Sequence, residues 1–143
     1  MRLRRYARRW RRVRRGPAAY AGYKIGEHKV IRRINTGEVL SQAVVHNNIA
    51  YLCGVTAPDK TAGLDDQTRQ VFKRIDDLLR EAGSDKSRIL TATIWLANIA
   101  DRPSMTKIWR EWLPAADLPA RAAMEAVMGD GILVEVMLQA ACD

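Results

Sequence analysis

Apolar and polar positions change period several times along the chain, and each change predicts an element. Residues 29–34, KVIRRI, are a short β-prone run that stops at Asn35-Thr36-Gly37, a turn sequence. AVVHNN at 43–48 and IAYLCGVT at 49–56 are two more such runs. Asn47-Asn48 between them predicts a hairpin, because asparagine tolerates the positive φ that tight hairpin turns require. Residues 57–63, with Pro58, read as a loop. The period then becomes helical: Val71, Ile75, Leu78 and Leu79 form one stripe with Phe72 at its edge. Arg69, Lys73, Asp76, Asp77 and Arg80 fall on the opposite, solvated face. Asp65 or Asp66 is expected to cap this helix and Gly83 to end it.

ILTATIWLANI at 89–99 is apolar almost throughout, which predicts a central strand covered on both faces. Pro103 opens a second helix, PSMTKIWREWL. Its Met105, Ile108, Trp109 and Trp112 share one side and are expected to pack against the sheet. PARAAMEAVM at 119–128 and ILVEVMLQAA at 132–141 read as a strand pair, with Gly129-Asp130-Gly131 as their hairpin turn. The order β-β-β-α-β-α-β-β predicts an α+β fold: a two-layer sandwich, with a mixed sheet and two helices on one face.

Charge divides the chain in two. The 143 residues carry a net charge of +8, but residues 1–33 hold thirteen Lys/Arg against one Glu. Residues 34–143 hold eleven Lys/Arg against fifteen Asp/Glu, a net of −4. Residues 1–27 are therefore read as an Arg-rich tail and linker, disordered or incidental, and residues 28–143 as the domain. Nine arginines between Arg2 and Arg15 leave one route to phosphate groups, so nucleic acid is expected only through residues 1–15. No continuous apolar segment follows these arginines, against a secretory signal, and none is long enough to span a membrane. A cytoplasmic location is expected. Cys53 and Cys142 are too few for a disulfide scaffold, and they and His28 and His46 lack metal-ligand spacing, so neither metal nor cofactor is expected. There is no Gly-rich phosphate loop, HExxH or nucleophile elbow.

The final strand pair carries the candidate chemistry. Glu135 lies inside a β-prone run, where an unpaired buried carboxylate is costly. Arg121 follows Pro119-Ala120, and a guanidinium there can clamp a carboxylate with two parallel hydrogen bonds. A structural ion pair or a solvated sheet face explains the same pattern. If the pair turns at Asp130, Glu135 lies opposite Glu125 and Arg121 opposite Gln139. Arg121 and Glu135 are then roughly 13 Å apart along the strands. That separation, and the uncovered face of a two-layer sandwich, favour an oligomer with its site between subunits.

Several segments, weak alone, agree in order and spacing with one family. They are SQAVV at 41–45, Asn48 with Tyr51 and Cys53-Gly54, QTRQV at 67–71, IDDLLREAG at 75–83, TATIWL at 91–96, IWREW at 108–112, LPARAAMEA at 118–126 and LVEV at 133–136. In these the chain resembles the RidA (YjgF) family, the reactive-intermediate imine deaminases, over about residues 34–142. The resemblance implies a chorismate-mutase-like fold, a homotrimer with clefts between subunits, and cofactor-free hydrolysis of small 2-imino or 2-enamino acids to 2-keto acids. It also implies that Arg121 binds the substrate carboxylate, that Glu135 holds the water, and that the backbone of Gly54 lines the cleft. The chain departs from the best-characterised deaminases at three of the implied substrate-contacting positions. Leu40 replaces a tyrosine, Cys53 a serine and Thr106 an asparagine. Two other functions stay open at this point: a non-catalytic ligand-binding trimer, and a nucleic-acid-associated, endoribonuclease-like protein acting through the basic arm.

Overall fold

The computed structural model describes residues 30–143. The arginine-rich arm, with the nucleic-acid role expected of residues 1–15, lies outside the described residues. The elements run β1 (Arg32–Thr36), β2 (Ser41–His46), β3 (Ile49–Leu52), β4 (Val55–Thr56), α1 (Leu64–Ala82), β5 (Ile89–Leu96), α2 (Arg102–Trp112), β6 (Ala120–Glu125) and β7 (Val134–Ala141). Single 3-10 turns precede β5, α2 and β6.

Local signals place most boundaries. Asn47 and Asn48 take φ of 52° and 61°, and β2 pairs antiparallel with β3 on either side of them. Two consecutive positive-φ residues match the twist of the flanking strands. The predicted stripe of α1 is buried, and the helix ends at Gly83 in the left-handed conformation, φ 79°. Its start differs from expectation: Gly63 is the cap and makes no side-chain bond. The helix begins two or three residues earlier than predicted, so Asp65 and Asp66 fall inside the first turn, where their charge favours the dipole.

Strand pairing departs further from the sequence pattern. The sheet order is β1-β2-β3-β7-β5-β6, with β4 also on β7. The last two strands do not form a hairpin. β5 lies between them, antiparallel to β7 and parallel to β6. Ile94 and Leu96 of β5 are fully buried. A direct β6–β7 pair would have left this apolar strand at an edge. Instead the Ala-rich, half-exposed β6 takes the edge, and residues 126–133 carry the chain across the end of β5.

The helices cover one face of this mixed sheet, an α+β arrangement as expected. The other face is bare, so β5 is covered on one side only; Tyr51, Met124 and Met137 are exposed. The aromatic side of α2 meets α1 as well as the sheet. Phe72 stacks on Trp112 with ring centres 4.4 Å apart, and Trp109 stands edge-on to both. The Trp112 indole N–H donates to both carboxylate oxygens of Asp76 at 3.1 Å, so Asp76 is a partner of α2 and not a freely solvated charge.

Gln67 ties the loops together. It is fully buried, and its amide nitrogen donates to Gly131 O at 2.8 Å and Ala62 O at 3.0 Å. Its carbonyl accepts from Leu133 N–H at 3.1 Å. A buried amide satisfied from both sides holds the loop before α1 against the entry to β7.

Candidate functional site

The six sequence-predicted site residues gather into two groups. Arg121 leaves β6 on the helix-covered face, level with Ala92 of β5. Its Nη2 donates to Thr106 Oγ1 on α2 at 3.3 Å, and its guanidinium carbon lies 5.0 Å from the centre of the Trp109 ring. The planar cation thus rests on an aromatic floor that Phe72 braces from α1. Its Nη1 is buried and has no partner. Arg121 makes no salt bridge among the described residues. Burial first, then the charges of Arg102 and Arg110, pull its pKa below the ordinary arginine value. An unneutralised, partly desolvated guanidinium with an open donor is suited to receiving an anion.

Cys53, Gly54 and Glu135 form the second group. Tyr51 pairs with Gln139, but Val55 pairs with Val136, so one extra residue is inserted between β3 and β4. This is a bulge at Cys53-Gly54, a device that re-aims the chain beside a site. The carboxylate of Glu135 packs over Gly54. A Cβ on Gly54 would overlap Oε1 of Glu135 and lie 2.9 Å from its Cδ. The constraint at Gly54 is the space the Glu135 carboxylate occupies and not the backbone, since Gly54 is not among the positive-φ residues. Burial pushes the Cys53 thiol up, opposed by the charge of Arg74 and reinforced by that of Glu135. Its Sγ donates to Gly54 O at 3.4 Å. A thiol held in its protonated form is a poor nucleophile.

Leu40 stands on the loop entering β2 and is 53% exposed. It precedes Gln42, whose carbonyl accepts from Cys53 N–H at 2.9 Å, so it belongs to the Cys53 end of the sheet. Thr106 belongs to the Arg121 group.

The two groups do not meet within one protomer. Arg121 shares its face with Ala92, whereas Glu135 is level with Trp95, three residues along the same strand. Successive residues alternate faces, so Arg121 points to the helix side and Glu135 to the bare side. The hairpin reading had put both on one face; the intervening β5 separates them. Glu125, expected opposite Glu135 across the hairpin, instead accepts from Ile99 N–H at 2.8 Å. Sequence reasoning also missed the floor role of Trp109 and the cations along α2 beside Arg121. Their signal was the helical spacing of Arg102, Thr106, Lys107 and Arg110, which only the placement of Arg121 makes meaningful.

Residues 30–142 match the Endoribonuclease L-PSP family, a stretch that includes Gly54, Arg121 and Glu135. The chain belongs to the RidA/YjgF family. A RutC family protein of Haemophilus ducreyi is 39% identical over 113 residues, covering 78% of this chain and 97% of that protein. The crystal structure of a YjgF family protein from Neisseria meningitidis superposes with a TM-score of 0.77 at 33% identity, over 82% of this chain and 98% of the other. The human 2-iminobutanoate/2-iminopropanoate deaminase is 27% identical over 103 residues, covering 67% of this chain and 74% of that protein. RidA/YjgF membership accounts for the mixed sheet with two helices and puts the chain in a family of small imine/enamine-deaminase-like proteins. No helix among the described residues is long and apolar enough to cross a membrane.

Proposed function

We propose that this RidA/YjgF protein hydrolyses small 2-imino acids, and the enamines that tautomerise to them, to 2-keto acids and ammonia. The observation that carries the reading is the Arg121 guanidinium on its Trp109 floor, with no salt bridge among the described residues and with Nη1 unpartnered. Kinship with the human deaminase supports it.

In this mechanism the Arg121 fork holds the substrate carboxylate. Glu135, set beside the backbone of Gly54, accepts a hydrogen bond from a water and aims its lone pair at the imine carbon. Water adds to that carbon and the nitrogen takes up a proton. The carbinolamine then expels ammonia and leaves the keto acid. Imines hydrolyse readily in water, so orientation and one charge-matched contact supply the few kcal/mol required. Cys53, Leu40 and Thr106 shape the wall and take no covalent part.

Because Arg121 and Glu135 occupy opposite faces of one sheet, the reading requires a second copy to bring them together. The proposed assembly is a homotrimer with its bare sheet faces turned inward, which would cover the exposed Tyr51, Met124 and Met137. Light scattering is expected to give three times the protomer mass; a monomer refutes the shared site. The activity test is release of 2-keto acid from freshly generated 2-iminopropionate, with Arg121→Ala beside the parent. Equal rates at the uncatalysed level sink the deaminase reading for that substrate. The cations on α2 favour one other reading, an RNA ligand, and cleavage of a single-stranded RNA by the same preparation tests it.

A further inference from the structure

The cavity against Arg121 has a volume of about 690 Å³ and is lined by Arg102, Thr106, Lys107, Arg110, Glu111 and Arg121. A volume of that size suits a ligand of several hundred daltons, and a three- or four-carbon monoacid fills a small part of it. Its charge is more unusual than its size. Four cations face one carboxylate, and that carboxylate, Glu111, is taken by Arg69 outside the cavity lining at 2.8 Å. Arg102, Lys107, Arg110 and Arg121 make no salt bridge among the described residues. Like charges set together without counter-charge destabilise the free protein, and a ligand that brings the missing negative charge offsets this. One carboxylate answers Arg121 alone.

We propose that the cavity binds 2-imino or 2-keto acids bearing a second anionic group, carboxylate or phosphate. Arg121 holds the carboxylate of the 2-acid, and Arg102, Lys107 and Arg110 receive the second anion. This rests on the deaminase reading and narrows its substrate class. Two of the cations, Lys107 and Arg110, lie one helical turn apart on α2, so they present their charge on one side of the helix. The aromatic rings beside the cavity argue against a nucleic acid here. Trp109 and Phe72 are 3% and 2% exposed and offer no free face for a base to stack on.

The full-length protein is titrated calorimetrically with 2-oxobutyrate, 2-oxoglutarate and phosphohydroxypyruvate. At least one of the two doubly functional acids is expected to bind about tenfold or more tighter than 2-oxobutyrate. Which of them does so distinguishes carboxylate from phosphate as the second anion. Arg110→Gln and Arg102→Gln are each expected to bring the affinity ratio toward one, and added salt to shrink it. Binding of 2-oxobutyrate as tight as that of both other acids overturns the inference and leaves the deaminase reading standing. Binding of none of the three, with hydrolysis of 2-iminopropionate at background, overturns both. Tight binding of a single-stranded RNA oligonucleotide without any acid binding also overturns it and assigns the cations to RNA.

Discussion

Gly54→Ala isolates the role of Glu135 without touching its charge. The new Cβ falls on Oε1 of Glu135, with Cδ 2.9 Å and Cγ 3.3 Å away. These atoms are the outer part of a flexible side chain, so the carboxylate swings aside and the backbone stays. A rotamer forced off its minimum costs about 0.5–1.5 kcal/mol. Replacing a glycine whose φ is not positive restricts the unfolded chain and returns about 0.4–1 kcal/mol. The two contributions nearly cancel, so the melting temperature is expected to stay within a few degrees of the parent. Turnover behaves differently. Displacing a water-holding carboxylate by about 1 Å is enough to lower the rate of a positioned reaction roughly a hundredfold. The assay is initial-rate keto acid release from 2-iminopropionate, beside calorimetric titration of 2-oxobutyrate. Binding is expected to survive and turnover to fall. The double variant Gly54→Ala/Glu135→Gln is expected to be no slower than Glu135→Gln alone, because both act through one carboxylate. Unchanged turnover in Gly54→Ala refutes the argument, as does full additivity in the double variant.

Arg121→Lys keeps the charge but loses the planar fork, so calorimetry is expected to show keto acid affinity reduced about tenfold to a hundredfold; parental affinity would make Arg121 structural. Gln67→Leu removes the three loop-tying contacts and strands the carbonyls of Ala62 and Gly131 and the N–H of Leu133, for a loss of about 2–4 kcal/mol in urea unfolding; an unchanged midpoint refutes that role. The Cys53 pKa is raised, so less thiolate is present at any pH below it, and peptide-mapped alkylation is expected to reach its half-maximal rate at a higher pH than a free thiol. Glu135→Gln removes one raising charge and is expected to move that midpoint down; a midpoint at or below that of a free thiol contradicts the burial of Cys53.

Contacts close along the chain were legible in the sequence. The α1 stripe at Val71, Ile75, Leu78 and Leu79, the stop at Gly83 and the Asn47-Asn48 turn each follow from a few neighbouring residues, because helix periodicity and turn dihedrals are local properties. The family segments also carried Arg121, Glu135 and Gly54 into view as chemistry. The pairing of Gly54 with Glu135 was less accessible, since a bulge between β3 and β4 and a strand some eighty residues later create it together.

What only the tertiary structure decided is which strands are neighbours. β6 and β7 have the spacing and glycines of a hairpin, yet β5 separates them, and its Ile94 and Leu96 are fully buried in the core. That choice sends Arg121 to the helix face and Glu135 to the bare face. It also brings Arg121 onto Trp109 and under the cations of α2. Strand order depends on the apolar surface buried by the whole sheet, a sum over distant residues that no local pattern contains.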